Sequence, residues 1–142
     1  MEDIYSILYA VACSGNKPMV LAINIKAEGS VYKKEGSSML ITGDGMRVGT
    51  LTAGCLEEDL SERAKQVWAA GKTWTVQYNM SEEHDLSWGQ GQGCNGVITV
   101  LLEPVKEDFR LNLLLIKESL DIAVSVVGEM IHKMRSTGTV NV

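Results

Sequence analysis

The sequence predicts an α/β domain, a mixed sheet of about five to six strands that includes one hairpin and has helices packed on it. Three observations carry that expectation. Two short apolar runs, 19–26 and 97–102, are rich in strand formers and too short for typical helices. Asp44-Gly45 stands between two further apolar runs, the strongest short-range hairpin signal. Leu56, Leu60, Ala64, Val67 and Trp68 recur at helical spacing between those strands.

In chain order, residues 2–14 place Ile4, Ile7, Leu8 and Val11 on one stripe, begin with two acids suited to a positive helix end, and stop at Gly15. This is a short amphipathic helix, with Cys13 on the flank of its stripe and assigned to packing. After Asn16-Lys17-Pro18, the run 19–26 reads as a central strand. Residues 38–42 and 46–51 flank Gly43-Asp44-Gly45 as a hairpin. The helix from Leu56 has acids in its first turn and Gly71 as its stop. Trp74, Val76 and Tyr78 alternate with polar residues, the period of a strand with one wet face. Residues 80–96 break every pattern. The run 97–102 is a second central strand, ended by Glu103-Pro104. Residues 107–120 read as a helix, and 121–127 fit either its continuation or another strand.

The composition narrows the function classes. The 142 residues are 45% hydrophobic and 22% charged, as expected of one globular domain. A net charge of −5 offers no basic field for phosphate backbones, which argues against general nucleic-acid binding. No apolar run approaches the ~18 residues of a membrane span, and the N-terminus lacks a basic leader, so a soluble protein is expected. Three cysteines without a CxxC pair point to a reducing compartment, and the cytoplasm is the expected location.

Three segments carry the chemistry. Thr52-Ala53-Gly54-Cys55-Leu56-Glu57-Glu58-Asp59 places a cysteine where a glycine-containing loop enters a helix. The unpaired amides there favour a thiolate or a bound anion, whereas the three acids use part of the same potential. Cys55 is the leading reactive residue, and a small buried residue at a tight turn is the alternative reading. Gly89 to Gly96 sets four glycines around Cys94, a loop with little side-chain bulk that brings backbone amides against a ligand. Its match to GxGxxG precedes a strand, not a helix, which excludes a nicotinamide site. A glycine-rich hairpin is the alternative there. Gly29 to Gly36 follows the first central strand, where α/β sheets usually bind ligands, and its Lys33 and Lys34 with Arg47 can receive a phosphate. Taken singly, each of these cations is more often a solvated surface charge, so the weight rests on the three lying near a common mouth. His84 and Asp85 with the cysteines fit no recognised zinc spacing, and no Ser-His-Asp signature or P-loop is present.

In this order, GSVYKKEGSSML (29–40), VGTLTAGCLEEDL (48–60) and WGQGQGCNGVITVLLEP (88–104) resemble the XdhC/CoxI family of xanthine dehydrogenase accessory proteins. The similarity covers about residues 4 to 105. It implies a chaperone, not an enzyme with its own substrate, that binds the molybdenum cofactor (molybdopterin) transiently. Such a protein supports cofactor sulfuration with a cysteine desulfurase and delivers the product to xanthine dehydrogenase or a related molybdenum hydroxylase. Position by position, the resemblance makes Cys55 and Cys94 the residues nearest the cofactor and its molybdenum ligands. It has Gly54, Gly93 and Gly96 shaping the loops, and Gly29, Ser30, Gly36 and Arg47 in the same mouth. Soft thiolates and a lysine-fringed, amide-lined pocket suit a molybdenum dithiolene with a phosphate tail. The family usually has arginines and a proline where this chain has Lys33, Lys34 and Glu35, and a second glycine where it has Ala53 and Asn95. Lys in place of Arg loses the bidentate fork, and Glu35 adds a repulsive charge.

Residues 1–105 therefore read as an XdhC/CoxI-like cofactor-binding domain, and 106–142 as a helical or ambiguous extension with no Rossmann domain. Longer family members carry one, so the resemblance implies a stand-alone short form or a fragment. Two other classes stand beside the chaperone: a thiol-dependent sulfur-transfer or redox enzyme using Cys55 as nucleophile, and a structural domain that docks on a dehydrogenase. The surplus of apolar residues between Leu111 and Val127 predicts a homodimer.

Overall fold

The computed structural model describes residues 2–30, 35–52, 54, 56–80 and 95–136. Their elements are α1 (Glu2–Ser14), β1 (Met19–Ser30), β2 (Ser38–Thr42), β3 (Arg47–Gly49), α2 (Glu57–Ala70), β4 (Trp74–Asn79), β5 (Asn95–Pro104) and α3 (Glu107–Ser136). The strands form one sheet in the order β3-β2-β1-β5-β4, and every pairing is antiparallel. The fold is thus α/β with an open sheet, the expected hairpin at one edge and helices on both faces.

Alternation along the strands explains the layering. Val20, Ala22, Met39, Ile41, Ile98, Val100 and Leu102 point to one face and pack under Leu56, Leu60, Ala64 and Val67, the stripe of α2 read from the sequence. Met19, Leu21 and Leu40 point to the other face and meet Ile7, Leu8 and Val11 of α1 with Leu113 of α3. The Asp44-Gly45 turn closes the hairpin, with Ile41 opposite Arg47 and Met39 opposite Gly49. At Gly49 the backbone has φ +91°, and a Cβ there would lie 2.5 Å from the Ser38 carbonyl oxygen, so only glycine fits.

Four expectations change or are settled. β1 does not stop at Lys26 but runs on to Ser30, because the register slips between Asn24 and Lys26 and the strand continues along β5. Beyond β2 its outer edge is served by the next segment: Gly36 N–H donates to Asn24 O at 2.7 Å, and Ala27 N–H donates to a Glu35 carboxylate oxygen at 3.1 Å. Pro104 is tolerated as the last residue of β5 because β4 pairs only as far as Leu102. The ambiguous stretch 121–127 is helix, since α3 is continuous to Ser136. Cys13 is exposed, not packed, as it faces away from the buried Ile7, Leu8 and Val11.

Helix α3 has 30 residues, about 45 Å of rise against about 20 Å for α1. Tyr5 of α1 donates to Asp121 at 2.7 Å, and Lys117 bonds the same carboxylate at 2.7 Å. Those two hydrogen bonds, Lys117's first, hold the Asp121 carboxyl below its ordinary range. Past that point Ile122, Val126, Met130 and Met134 are exposed. No described helix is long and apolar enough to cross a membrane.

Candidate functional site

The end of the sheet where β1 finishes and β5 begins brings two of the sequence motifs together. Gly29 lies opposite Gly96 and Ser30 opposite Asn95. Gly29 and Ser30 were expected in a loop, whereas they are the last two strand residues. The reason is cross-strand pairing, which a glycine and a serine do not announce locally. The paired glycines leave this row of the ladder without side chains. Gly96 also accepts a 2.7 Å hydrogen bond from Met80 N–H, which ties the residue after β4 to the same row.

The second group forms at the start of α2. Gly54 has φ +98° and open space where a Cβ would stand, and it lines a cleft of about 440 Å³ with Arg47, Gly49, Thr52, Glu57 and Glu58. Helix α2 begins without a side-chain cap from Leu56. Instead, the Glu57 carboxylate folds back and accepts from Thr52 N–H at 3.0 Å, from Thr52 Oγ1 at 2.7 and 2.6 Å, and from Leu56 N–H at 3.2 Å. Thr52 Oγ1 also accepts from Leu56 N–H at 3.3 Å. An acidic group at a helix N-terminus is electrostatically favoured, so this arrangement satisfies both the turn and the helix end.

A third contact joins the two groups. Tyr78, opposite Ile98 in β5 and so two positions from the Gly96 row, donates its hydroxyl to Asp59 in the first turn of α2. Arg63 Nε donates to the same Asp59 oxygen at 2.8 Å, and its guanidinium carbon lies 5.9 Å from the Tyr78 ring centre. Burial pushes the Asp59 carboxyl up, but the hydrogen bonds from Tyr78 and Arg63 outweigh it and leave the group below its ordinary range. Burial, reinforced by the Asp59 hydrogen bond, raises the Tyr78 hydroxyl well above its ordinary value. The first turn of α2 is thereby fixed to β4 at Tyr78, two positions along from the Gly96 row.

Of the residues singled out in the sequence, the structure pairs Gly29 with Gly96, places Gly54 and Arg47 on one cleft, and sets Gly36 against β1. Cys55, Cys94, Gly93, Lys33 and Lys34 lie outside the described residues, as do His84 and Asp85. Arg47 and Gly54 share no strand row with Gly29. Gly49 stands level with Met39 and Ala22, seven residues or about 23 Å of strand contour before Gly29. Among the described residues no group of three or more His, Cys, Asp or Glu side chains could hold a metal ion. Sequence reasoning missed Thr52, Glu57, Asp59 and Tyr78. The Thr-to-Glu spacing is five, not the three of a capping box, and no local signal links Tyr78 to Asp59.

Comparison with known proteins sets this geometry in context. Residues 12–79 match the XdhC and CoxI family. A curated relative, a probable xanthine dehydrogenase subunit from Bacillus subtilis, is 43% identical over 91 residues, 64% of this chain and 28% of the relative. A crystal structure described as a xanthine dehydrogenase from Bacillus halodurans superimposes with a TM-score of 0.76 at 46% identity, covering 84% of this chain and 35% of that one. The chain thus spans about a third of the length of the relatives it matches.

Proposed function

With residues 12–79 belonging to the XdhC and CoxI family, we propose that this chain is a cytoplasmic accessory protein that carries the molybdenum cofactor to a xanthine dehydrogenase-type apoenzyme. The observation that carries this reading is that Gly54, Arg47 and the first turn of α2, through Glu57 and Glu58, line one cleft. The cleft volume of about 440 Å³ falls within the range of small-molecule sites, ~300–1,000 Å³.

The cargo brings a molybdenum atom held by dithiolene sulfurs and a phosphate tail, and each part has a partner in this chain. Cys55, between Gly54 and Leu56, and Cys94, two residues before Gly96, supply soft thiolates suited to molybdenum. Arg47 supplies a guanidinium for the phosphate, joined by Lys33 and Lys34. Gly29, Ser30, Gly36, Gly93 and Gly96, in this reading, keep side-chain bulk low around the ligand. In this reading a cysteine desulfurase supplies sulfur to the bound cofactor, and the chain performs no turnover of its own.

Residues 1–105 hold the cofactor in this proposal, and α3 serves association. The exposed apolar side chains of α3 fit a second copy: its first turn carries Glu107 and Asp108 and its last Lys133 and Arg135, so antiparallel helices set opposite charges together.

The test is transfer. Apo-xanthine dehydrogenase is mixed with the cofactor-loaded chain or with free cofactor, with and without a cysteine desulfurase, and recovered activity is followed. Faster recovery from the loaded chain, lost in Cys55→Ala and slowed in Arg47→Ala, is the expected result. Equal recovery from free cofactor and loaded chain contradicts the proposal. Binding to the apoenzyme that ignores every cysteine and Arg47 points to a docking domain instead.

A further inference from the structure

We propose that α3 pairs with α3 of a second copy in one antiparallel register, with the two-fold axis passing between Leu120 and Asp121; the inference rests on the reading of α3 as an association helix. One stripe of exposed side chains runs the length of the helix. Its apolar members, Leu111, Leu115, Ile122, Val126 and Met130, are between 49% and 61% exposed. Ser119 is exposed at its middle, and Asp108 and Lys133 are exposed at its ends. Successive members stand three or four residues apart, the spacing of one helical face. The opposite face is occupied. Leu113 and Leu120 pack with Ile7, Leu8 and Val11 of α1, and Tyr5 and Lys117 each hold Asp121 at 2.7 Å. The helix is therefore fastened to the body at its midpoint with the stripe turned outward.

The spacing selects both the partner and its direction. From Asp108 to Lys133 the steps are three, four, four, three, four, four and three residues, which read the same from either end. A stripe with that property meets itself when a second copy runs the other way. Leu111 then falls opposite Met130, Leu115 opposite Val126 and Ser119 opposite Ile122, with Asp108 opposite Lys133 at both ends. Such an isologous contact closes on two copies, and about 38 Å of helix takes part. A parallel pair would set Asp108 against Asp108 and Lys133 against Lys133, so charge favours the antiparallel direction. A rival seam through Val124, Val127, Ile131 and Met134, which are exposed on another face, spans only about 15 Å and carries no acid and base at its ends.

The test combines mass with cross-linking in the full chain. Light scattering gives the mass of the native chain and of each variant. Interchain disulfides are read by non-reducing electrophoresis after mild oxidation, in a Cys13→Ser/Cys55→Ser/Cys94→Ser background where introduced thiols are the only ones. Leu115→Cys with Val126→Cys is expected to give a covalent dimer, and either one alone is not. Within one chain the two positions lie about 16 Å apart along the helix, too far to bridge, so only the partner supplies the second sulfur. Asp108→Lys or Lys133→Asp raises the dimer dissociation constant about tenfold at low salt, because like charges then meet at both ends. The double reversal Asp108→Lys/Lys133→Asp restores dimerisation, even though it is the worst arrangement for the dipole of α3 itself.

A native chain of monomer mass overturns the association reading and the register with it. A native dimer in which Leu115→Cys with Val126→Cys fails to cross-link overturns the register alone. Cross-linking through Leu115→Cys by itself would then mark a parallel pair, and cross-linking through Val124→Cys with Met134→Cys would mark the rival seam. A double reversal that dimerises no better than the single ones also sinks the register, since the end pairs would not be meeting.

Discussion

Replacing Tyr78 by Phe removes one oxygen from the joint between α2 and the sheet and leaves the ring in place. Tyr78 is 4% exposed, and its hydroxyl donates to an Asp59 carboxylate oxygen that Arg63 also holds at 2.8 Å. A hydrogen bond to a charged acceptor contributes about 1.5–3 kcal/mol. The Asp59 side chain is 34% exposed, so water replaces part of what is lost and the expected cost is about 1–2 kcal/mol. For 142 residues the unfolding entropy is about 0.3 kcal/mol/K, which makes that a drop of about 3–7 °C in melting temperature. The pH dependence sharpens the test. Asp59 has its folded-state carboxyl lowered, so its contribution is present above the ordinary carboxylate range near about 4 and is lost as pH falls through the folded value. Tyr78 has its hydroxyl raised, so its contribution is present below about 10 and is lost as pH rises through the higher folded value. The stability gap between the native chain and Tyr78→Phe is therefore flat from about pH 5 to 9 and narrows on both sides. Denaturant melts at pH 3, 7 and 10.5 measure it. A gap below 0.3 kcal/mol at pH 7, or one as large at pH 3 as at pH 7, would refute the reasoning.

Other substitutions probe other layers. Gly49→Ala forces a Cβ to 2.5 Å from the Ser38 carbonyl at φ +91°, and a loss of about 2–4 kcal/mol in thermal unfolding is expected; a loss under 0.5 kcal/mol counts against the tight approach of β3 to β2. Leu60→Ala empties a fully buried site under α2, with an expected cost of about 2–5 kcal/mol, and a chain as stable as the native one would mean that α2 is not docked as described. Val126→Lys with Met130→Lys changes exposed positions of α3, so the melting point of the monomer should hold while self-association in light scattering disappears; a native chain of monomer mass at working concentration refutes the dimer.

Local signals made much of the fold legible. The Asp44-Gly45 turn, the α2 stripe ending at Gly71 and the alternation of Trp74, Val76 and Tyr78 each report a short-range preference that the tertiary structure leaves intact. What escaped was non-local. Glu28, Gly29 and Ser30 look like the start of a loop until β5 supplies their partners. In α3, the β-branched Ile122, Val124, Val126 and Val127 favour a strand by propensity, yet none of the described strands pairs with them and the helix runs on. At the site, the glycine and cysteine motifs stand out in the sequence because their composition is unusual. Thr52, Glu57, Asp59 and Tyr78 do not, because single polar residues acquire their roles only through partners brought near by folding, as Tyr78 and Asp59 are from 19 residues apart.

The cofactor-carrier reading is tested most directly by the molybdenum and pterin content of the purified chain. The chain is mixed anaerobically with released molybdenum cofactor and desalted, beside a Cys55→Ala/Cys94→Ala variant. About one equivalent of each on the native chain and little on the variant is the predicted result, since the thiols are the soft ligands. Equal content in both, or none on the native chain, contradicts it.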